Sequence, residues 1–112
     1  MSNGRFAEET PVAWNRSLTA YNRNPDVSRR TLEQAHLALD RDMQLLGFYR
    51  EQKLQSFISL FGVHATCLGN SLKAYDGDNK GYAAAFSEQA LIEQGVNNPV
   101  TIFAQATAGD VS

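Results

Sequence analysis

LEQAHLALDRDMQLLGFYREQKLQSFISLFGVHATCLGNSLKAY, residues 32–75, is the stretch whose reading decides the fold. It contains no proline. Leu32, Ala35, Leu39, Met43, Leu46, Leu54, Ile58, Phe61, Ala65, Leu68, Leu72 and Tyr75 keep one phase along it, with polar Arg50 filling the single gap. Their mean spacing is about 3.6 residues, the α-helical period. A loop inside the stretch would normally reset that phase. The pattern therefore predicts one long helix over about 31–76, with Gly47 or Gly62 as the place for a bend, since each glycine weakens a helix by about 1 kcal/mol.

Thr31 and Gln34 have the spacing of a capping box at the start of this helix, and Asp76-Gly77 supplies a stop. Upstream, Thr10-Pro11 predicts the start of a short helix over about 11–22, with Trp14, Leu18 and Tyr21 on its apolar face. Residues 1–9 read as a polar arm. Downstream, Asp78 or Asn79 caps a helix over about 79–94, ended by Gly95 and Asn97-Asn98-Pro99. Residues 96–112 read as an extended arm whose β-prone start, with Val100, Ile102 and Phe103, suits docking. The expectation is a single all-α domain over 1–112.

Candidate chemistry is sparse. Counted as a calcium loop from Asp76, the run has Asp78 and Gly81 in place, but Lys80 occupies a ligand position and Ser87 replaces the bidentate carboxylate. A turn explains the same residues. His64 and Cys67 share a face if helical, yet structural zinc needs four ligands and His36 is far along the chain. Packing is the better reading for both. Arg16, Arg23, Arg29 and Arg30 cluster with Trp14 and Tyr21, a pattern that suits a polyanion or a protein contact. No phosphate loop, nucleophile elbow or paired carboxylate stands out. The residues thus imply no cofactor, metal or small molecule, and they do not favour an enzyme.

The totals agree with an ordinary globular chain. Its 112 residues are 43% hydrophobic and 20% charged, with net charge −2, so no bulk attraction to nucleic acid or anionic membrane is built in. A lone Cys67 excludes an intrachain disulfide. No apolar run reaches the roughly 18 residues of a membrane span, and no signal peptide is visible, which predicts a cytoplasmic protein.

Shape completes the reading. A helix over 31–76 would be about 67–69 Å long, whereas a compact domain of this size is roughly 34 Å across. Its apolar surface is also two-sided. Leu54, Phe57, Ile58, Leu60, Phe61, Leu68 and Leu72 form a packing interface, and Leu37, Leu45 and Phe48 form a second face. Such surface predicts a homo-oligomer or a subunit of a larger protein assembly, structural in role, with a virus particle component as one example. The alternative is a small regulatory module that binds protein or nucleic acid through segment 14–30.

Overall fold

The computed structural model describes residues 13–112, which form two compact units. The first holds the described residues up to Met43 together with Phe61–His64 and Gln105–Ser112, and the second holds Gln44–Leu60 and Ala65–Ala104. The elements in chain order are a single-turn helix α1 (Leu18–Tyr21), a 3-10 helix (Leu32–Leu37), strands β1 (Gln44–Arg50) and β2 (Lys53–Phe61), helix α2 (Asp78–Glu93) and strand β3 (Thr101–Gln105).

The second unit is built on a hairpin. β1 and β2 pair antiparallel, from Gln44 opposite Leu60 to Arg50 opposite Lys53. Glu51 and Gln52 turn the chain between them with φ of 49° and 65°, the doubly positive pair that lets a two-residue turn follow the twist of its strands. Phe48 faces Ser56 while Tyr49 faces Leu54, so Gln55 is the extra residue of a bulge. β3 completes a three-stranded sheet in the order β1-β2-β3.

Helix α2 lies against one face of that sheet. The Thr101 hydroxyl donates to the Ala84 carbonyl at 3.0 Å, and Glu88 Oε1 accepts the Thr101 N–H at 2.9 Å. On the same face the Phe57 and Phe103 rings meet edge to face, with centroids 5.6 Å apart. Gly95, at φ 80°, closes the helix. Its N–H bonds the Ile92 carbonyl and that of Val96 bonds the Leu91 carbonyl, which satisfies two otherwise unpaired acceptors. Leu91 and Val96 are both buried there.

In the first unit the two ends of the described chain meet. Asn15 and Val111 form an antiparallel bridge, flanked by reciprocal bonds between the Trp14 and Ser112 backbones. The core here is small-residue: Ala35, Ala38, Ala108 and Val111 are buried. Gly62 belongs to it for a steric reason, because a Cβ at this position would strike the Thr107 carbonyl oxygen.

These elements overturn the all-α expectation. The long helix over 31–76 is replaced by six residues of 3-10 helix, a hairpin and an irregular run to Gly77. Of the expected helix-packing interface, Leu54, Phe57, Ile58, Leu60 and Phe61 lie on β2, while Leu68 and Leu72 lie in that irregular run. Of the second face, Leu37 ends the 3-10 helix and Leu45 and Phe48 lie on β1. The cause is arithmetic: a step of four residues keeps a side chain on one face of a helix and also on one face of a strand, so Leu54 to Ile58 fits both periods. Gly47 is mid-strand and Gly62 is a close approach; neither is a helix bend. Within the helix expected over 11–22, only Leu18–Tyr21 is helical among the described residues, and its Thr10-Pro11 start, like the polar arm 1–9, lies outside them. The helix expected over 79–94 stands at Asp78–Glu93, and the arm over 96–112 contains β3, where Ile102 and Phe103 sit, with Val100 just before it.

Candidate functional site

The bridge between Asn15 and Val111 brings polar groups from opposite ends of the described chain into one cleft. Asn15 is nearly buried and uses its whole amide: Nδ2 donates to the Ala38 carbonyl at 2.8 Å and to Asp110 Oδ2 at 3.4 Å, and Oδ1 accepts the Ser17 N–H at 2.8 Å. Arg16 follows it with its backbone N–H on the Asp110 carbonyl at 2.8 Å and its Nε on the Val111 carbonyl at 3.1 Å. That second bond holds the base of the guanidinium still. Its two amino groups bond nothing else among the described residues. The cavity beside these groups has a volume of about 340 Å³ and is lined by Asn15, Arg16, Ser17, Tyr21 and Asp110 with small neighbours. Arg16, Asp110, Ser17 and Tyr21 therefore border one opening, residue types that suit the oxygen atoms of a polar ligand.

A second cavity, about 450 Å³, lies within the other unit and is lined by Cys67, Leu68, Asp76, Asp78, Asn79 and Tyr82. Its Asp78 carboxylate is already engaged. It accepts the Leu68 N–H at 2.9 Å and the Cys67 N–H at 3.1 Å, and also that of Asn79. The Leu68 bond is the main reason its pKa lies below the ordinary aspartate value, with desolvation opposing it as the next largest effect. Burial likewise lowers the pKa of Lys80, whose Nζ donates to the Ala104 carbonyl. The acidic run thus organises the entry to α2. The first cavity is the better functional candidate because both a cationic and an acidic residue, Arg16 and Asp110, border it.

Of the six residues expected to meet a polyanion or protein, Arg16 and Tyr21 line this cavity. Trp14 contributes its backbone to the terminal bridge, and the Arg30 backbone is tied to the Asn22 side chain. Arg23 and Arg29 are exposed and do not line the cavity. His64 and Cys67 share no helix; the His64 Nε2 is buried and Cys67 is exposed. Among the described residues no group of three or more His, Cys, Asp and Glu is gathered to hold a metal, and no helix is long and apolar enough to cross a membrane. Sequence reasoning missed Asn15 and Asp110, which are 95 positions apart.

Comparison with known proteins gives this cleft its context. Residues 7–112 match the family described as neutral/alkaline non-lysosomal ceramidase, N-terminal. Neutral ceramidase B of Dictyostelium discoideum is 34% identical across 93% of this chain, and the neutral ceramidase of Pseudomonas aeruginosa is 33% identical across 88%. The crystal structure of the Pseudomonas aeruginosa neutral ceramidase superposes with a TM-score of 0.74 at 33% identity over 89% of the chain, and a ceramidase complexed with C2 gives 0.73. The chain spans only 14–16% of the length of the curated relatives it matches.

These matches overturn four expectations from the residues alone. A structural assembly subunit or virion component, a regulatory module acting through segment 14–30, a non-enzyme, and a cytoplasmic protein packed into a virus particle all give way to relatives that are neutral ceramidases, which are hydrolases. With nearly every residue inside the family match, this chain belongs to the neutral/alkaline non-lysosomal ceramidase family, as part of its N-terminal domain.

Proposed function

We propose that the chain contributes the Asn15–Arg16–Asp110 cleft to a neutral ceramidase, where it helps bind and polarise a ceramide for hydrolysis of its amide bond. The observation that carries the reading is Arg16, anchored through Nε to the Val111 carbonyl and lining a cavity of about 340 Å³. When water or another nucleophile attacks an amide, negative charge develops on the carbonyl oxygen. Preorganised donors stabilise that charge, and removing one such donor typically costs about 10²–10³ in rate. Asp110, held by Asn15, suits the hydroxyl groups of a sphingoid base, which donate to a carboxylate.

The test is a chimera in which this chain replaces the matching segment of the Pseudomonas aeruginosa neutral ceramidase. The expected result is release of fatty acid from a short-chain ceramide. Arg16→Ala should lower kcat/KM by about 10²-fold, and Arg16→Lys should restore only part, since an ammonium cannot keep both the Val111 bond and a forked contact. A folded chimera without hydrolysis, or an Arg16→Ala variant within twofold of its parent, would refute the reading.

A further inference from the structure

Asp76 and Gly77 stand where the irregular run after β2 enters α2, and both are exposed. An aspartate followed by glycine is the pair in which the next backbone nitrogen most easily reaches the side-chain carboxyl, because glycine has no Cβ to crowd the approach. Two features of the structure leave that approach open. The Gly77 N–H makes no hydrogen bond among the described residues, so neither a helix turn nor a strand holds it. The Asp76 side chain also turns along its own backbone. Its Oδ1 accepts the Asp78 N–H at 2.6 Å, and the ring closed by that bond contains the Gly77 peptide.

The fold demands the glycine. A Cβ at Gly77 would lie 2.7 Å from the Gly81 Cα, in a turn fixed by the Gly81 N–H on the Gly77 carbonyl at 2.8 Å. The residue that makes Asp76 reactive is therefore one that a side chain cannot replace without a backbone clash. Among the described aspartates only Asp76 has this neighbour: Asp26 and Asp110 precede valines, Asp40 precedes Arg41, Asp42 precedes Met43 and Asp78 precedes Asn79. The β-branched valines hinder the same approach.

We propose that Asp76 is a site of spontaneous backbone isomerisation. The Gly77 nitrogen attacks the Asp76 Cγ and gives up its proton, a carboxyl oxygen leaves as water, and a five-membered succinimide forms. Water then opens the ring. Addition at Cγ restores aspartate; addition at the main-chain carbonyl leaves the chain running through Cβ and Cγ, as isoaspartate. One water departs and one returns, with no redox change and no change in mass. The consequence falls on the entry to α2. The isomer lengthens the main chain by one methylene and makes the Asp76 carboxyl carbon a peptide carbonyl, which can no longer turn to the Asp78 N–H. Asp78 is the residue whose carboxylate holds the Leu68 N–H at 2.9 Å and the Cys67 N–H at 3.1 Å, from a left-handed φ of 50°. Isomerisation at Asp76 therefore loosens this clasp, which lies wholly within the second unit. The proposal is independent of the role given to Arg16.

Ageing the 112-residue chain tests it. The chain is kept at neutral pH in native buffer and, separately, in denaturing urea. Isoaspartate is read as methyl transfer from S-adenosylmethionine by an isoaspartyl methyltransferase, and peptide mapping places it. A mass-neutral isomer should accumulate at Asp76 in native buffer within about tenfold of its rate in urea, as an open segment allows. A slower native rate would overturn the proposal, because the fold would then protect the site. Asp76→Glu should abolish the signal at this position in both solvents, since attack would have to close a six-membered ring; a signal that persists there would also overturn it. Altered asparagines are told apart by their gain in mass. In the aged fraction, amide hydrogen exchange at Cys67 and Leu68 should quicken while that of the centre of α2 holds. Unchanged exchange at those two amides would refute the loosened clasp.

Discussion

Asn15 is a single amide on which three segments depend. Its backbone N–H bonds the Ala35 carbonyl at 3.0 Å, and its side chain bonds Ala38, Asp110 and Ser17. Ala38 is fully buried, so its carbonyl cannot turn to water if that donor is lost. Asn15→Ala should therefore destabilise the first unit by about 1–3 kcal/mol, the cost of a buried acceptor left unpaired, read as a fall in the urea midpoint with unchanged slope. No change in midpoint would mean that Asn15 merely lines the cleft. Arg16 and Tyr21 were legible as candidates because cations beside aromatics form a local pattern. Asn15 and Asp110 were not, because their partnership exists only after the chain ends meet, and each looks alone like a turn residue. The cleft was half visible in the sequence for that reason.

At the scale of elements the decisive feature is the turn at Glu51-Gln52. Residues that take positive φ twice in succession are usually Asn and Gly, and that signature is what announces a hairpin in a sequence. Glu and Gln are good helix formers instead, and they sit in a left-handed conformation here against their preference. Leu, Phe and Ile on either side are spaced by fours as well as twos, so nothing local contradicted a helix. By contrast, Gly95 and the Thr31–Gln34 pair kept their meaning: Gly95 ends α2, and Gln34 Oε1 accepts the Thr31 N–H at 3.3 Å. The capping pair starts a 3-10 helix of six residues, which shows that a start signal carries no information about length. Replacing Glu51-Gln52 with Asn-Gly should stabilise the hairpin by about 0.5–1 kcal/mol by removing left-handed strain. Thermal denaturation would show a rise in Tm, and a fall would mean that the Glu51 or Gln52 side chain makes a contact worth more than the strain.

Taken as a whole molecule, the chain buries little of what it carries. The buried apolar side chains among the described residues are Ala35, Ala38, Leu91, Val96, Pro99, Ala108 and Val111, three of them alanines. Trp14, Phe48, Tyr75, Tyr82, Phe86 and Ile92 are exposed meanwhile. Burying a large side chain contributes about 1.5–3 kcal/mol and an alanine methyl far less, so this core offsets little of the roughly 1–2 kcal/mol of backbone entropy lost per ordered residue. The helical reading placed this apolar surface on a rod too long for its own chain; in the structure the exposed apolar residues lie on a short sheet, a helix and irregular segments, in a family of much longer proteins. The 112-residue chain alone should accordingly have an unfolding free energy below about 3 kcal/mol, under the 5–15 kcal/mol usual for an independent domain. A urea titration followed by circular dichroism, at two protein concentrations, measures this directly. The expected curve has a low midpoint that does not move with concentration. A midpoint that rises with concentration would point to self-association as the missing cover, and a monomer stable by more than 5 kcal/mol would mean that the exposed residues are no deficit at all.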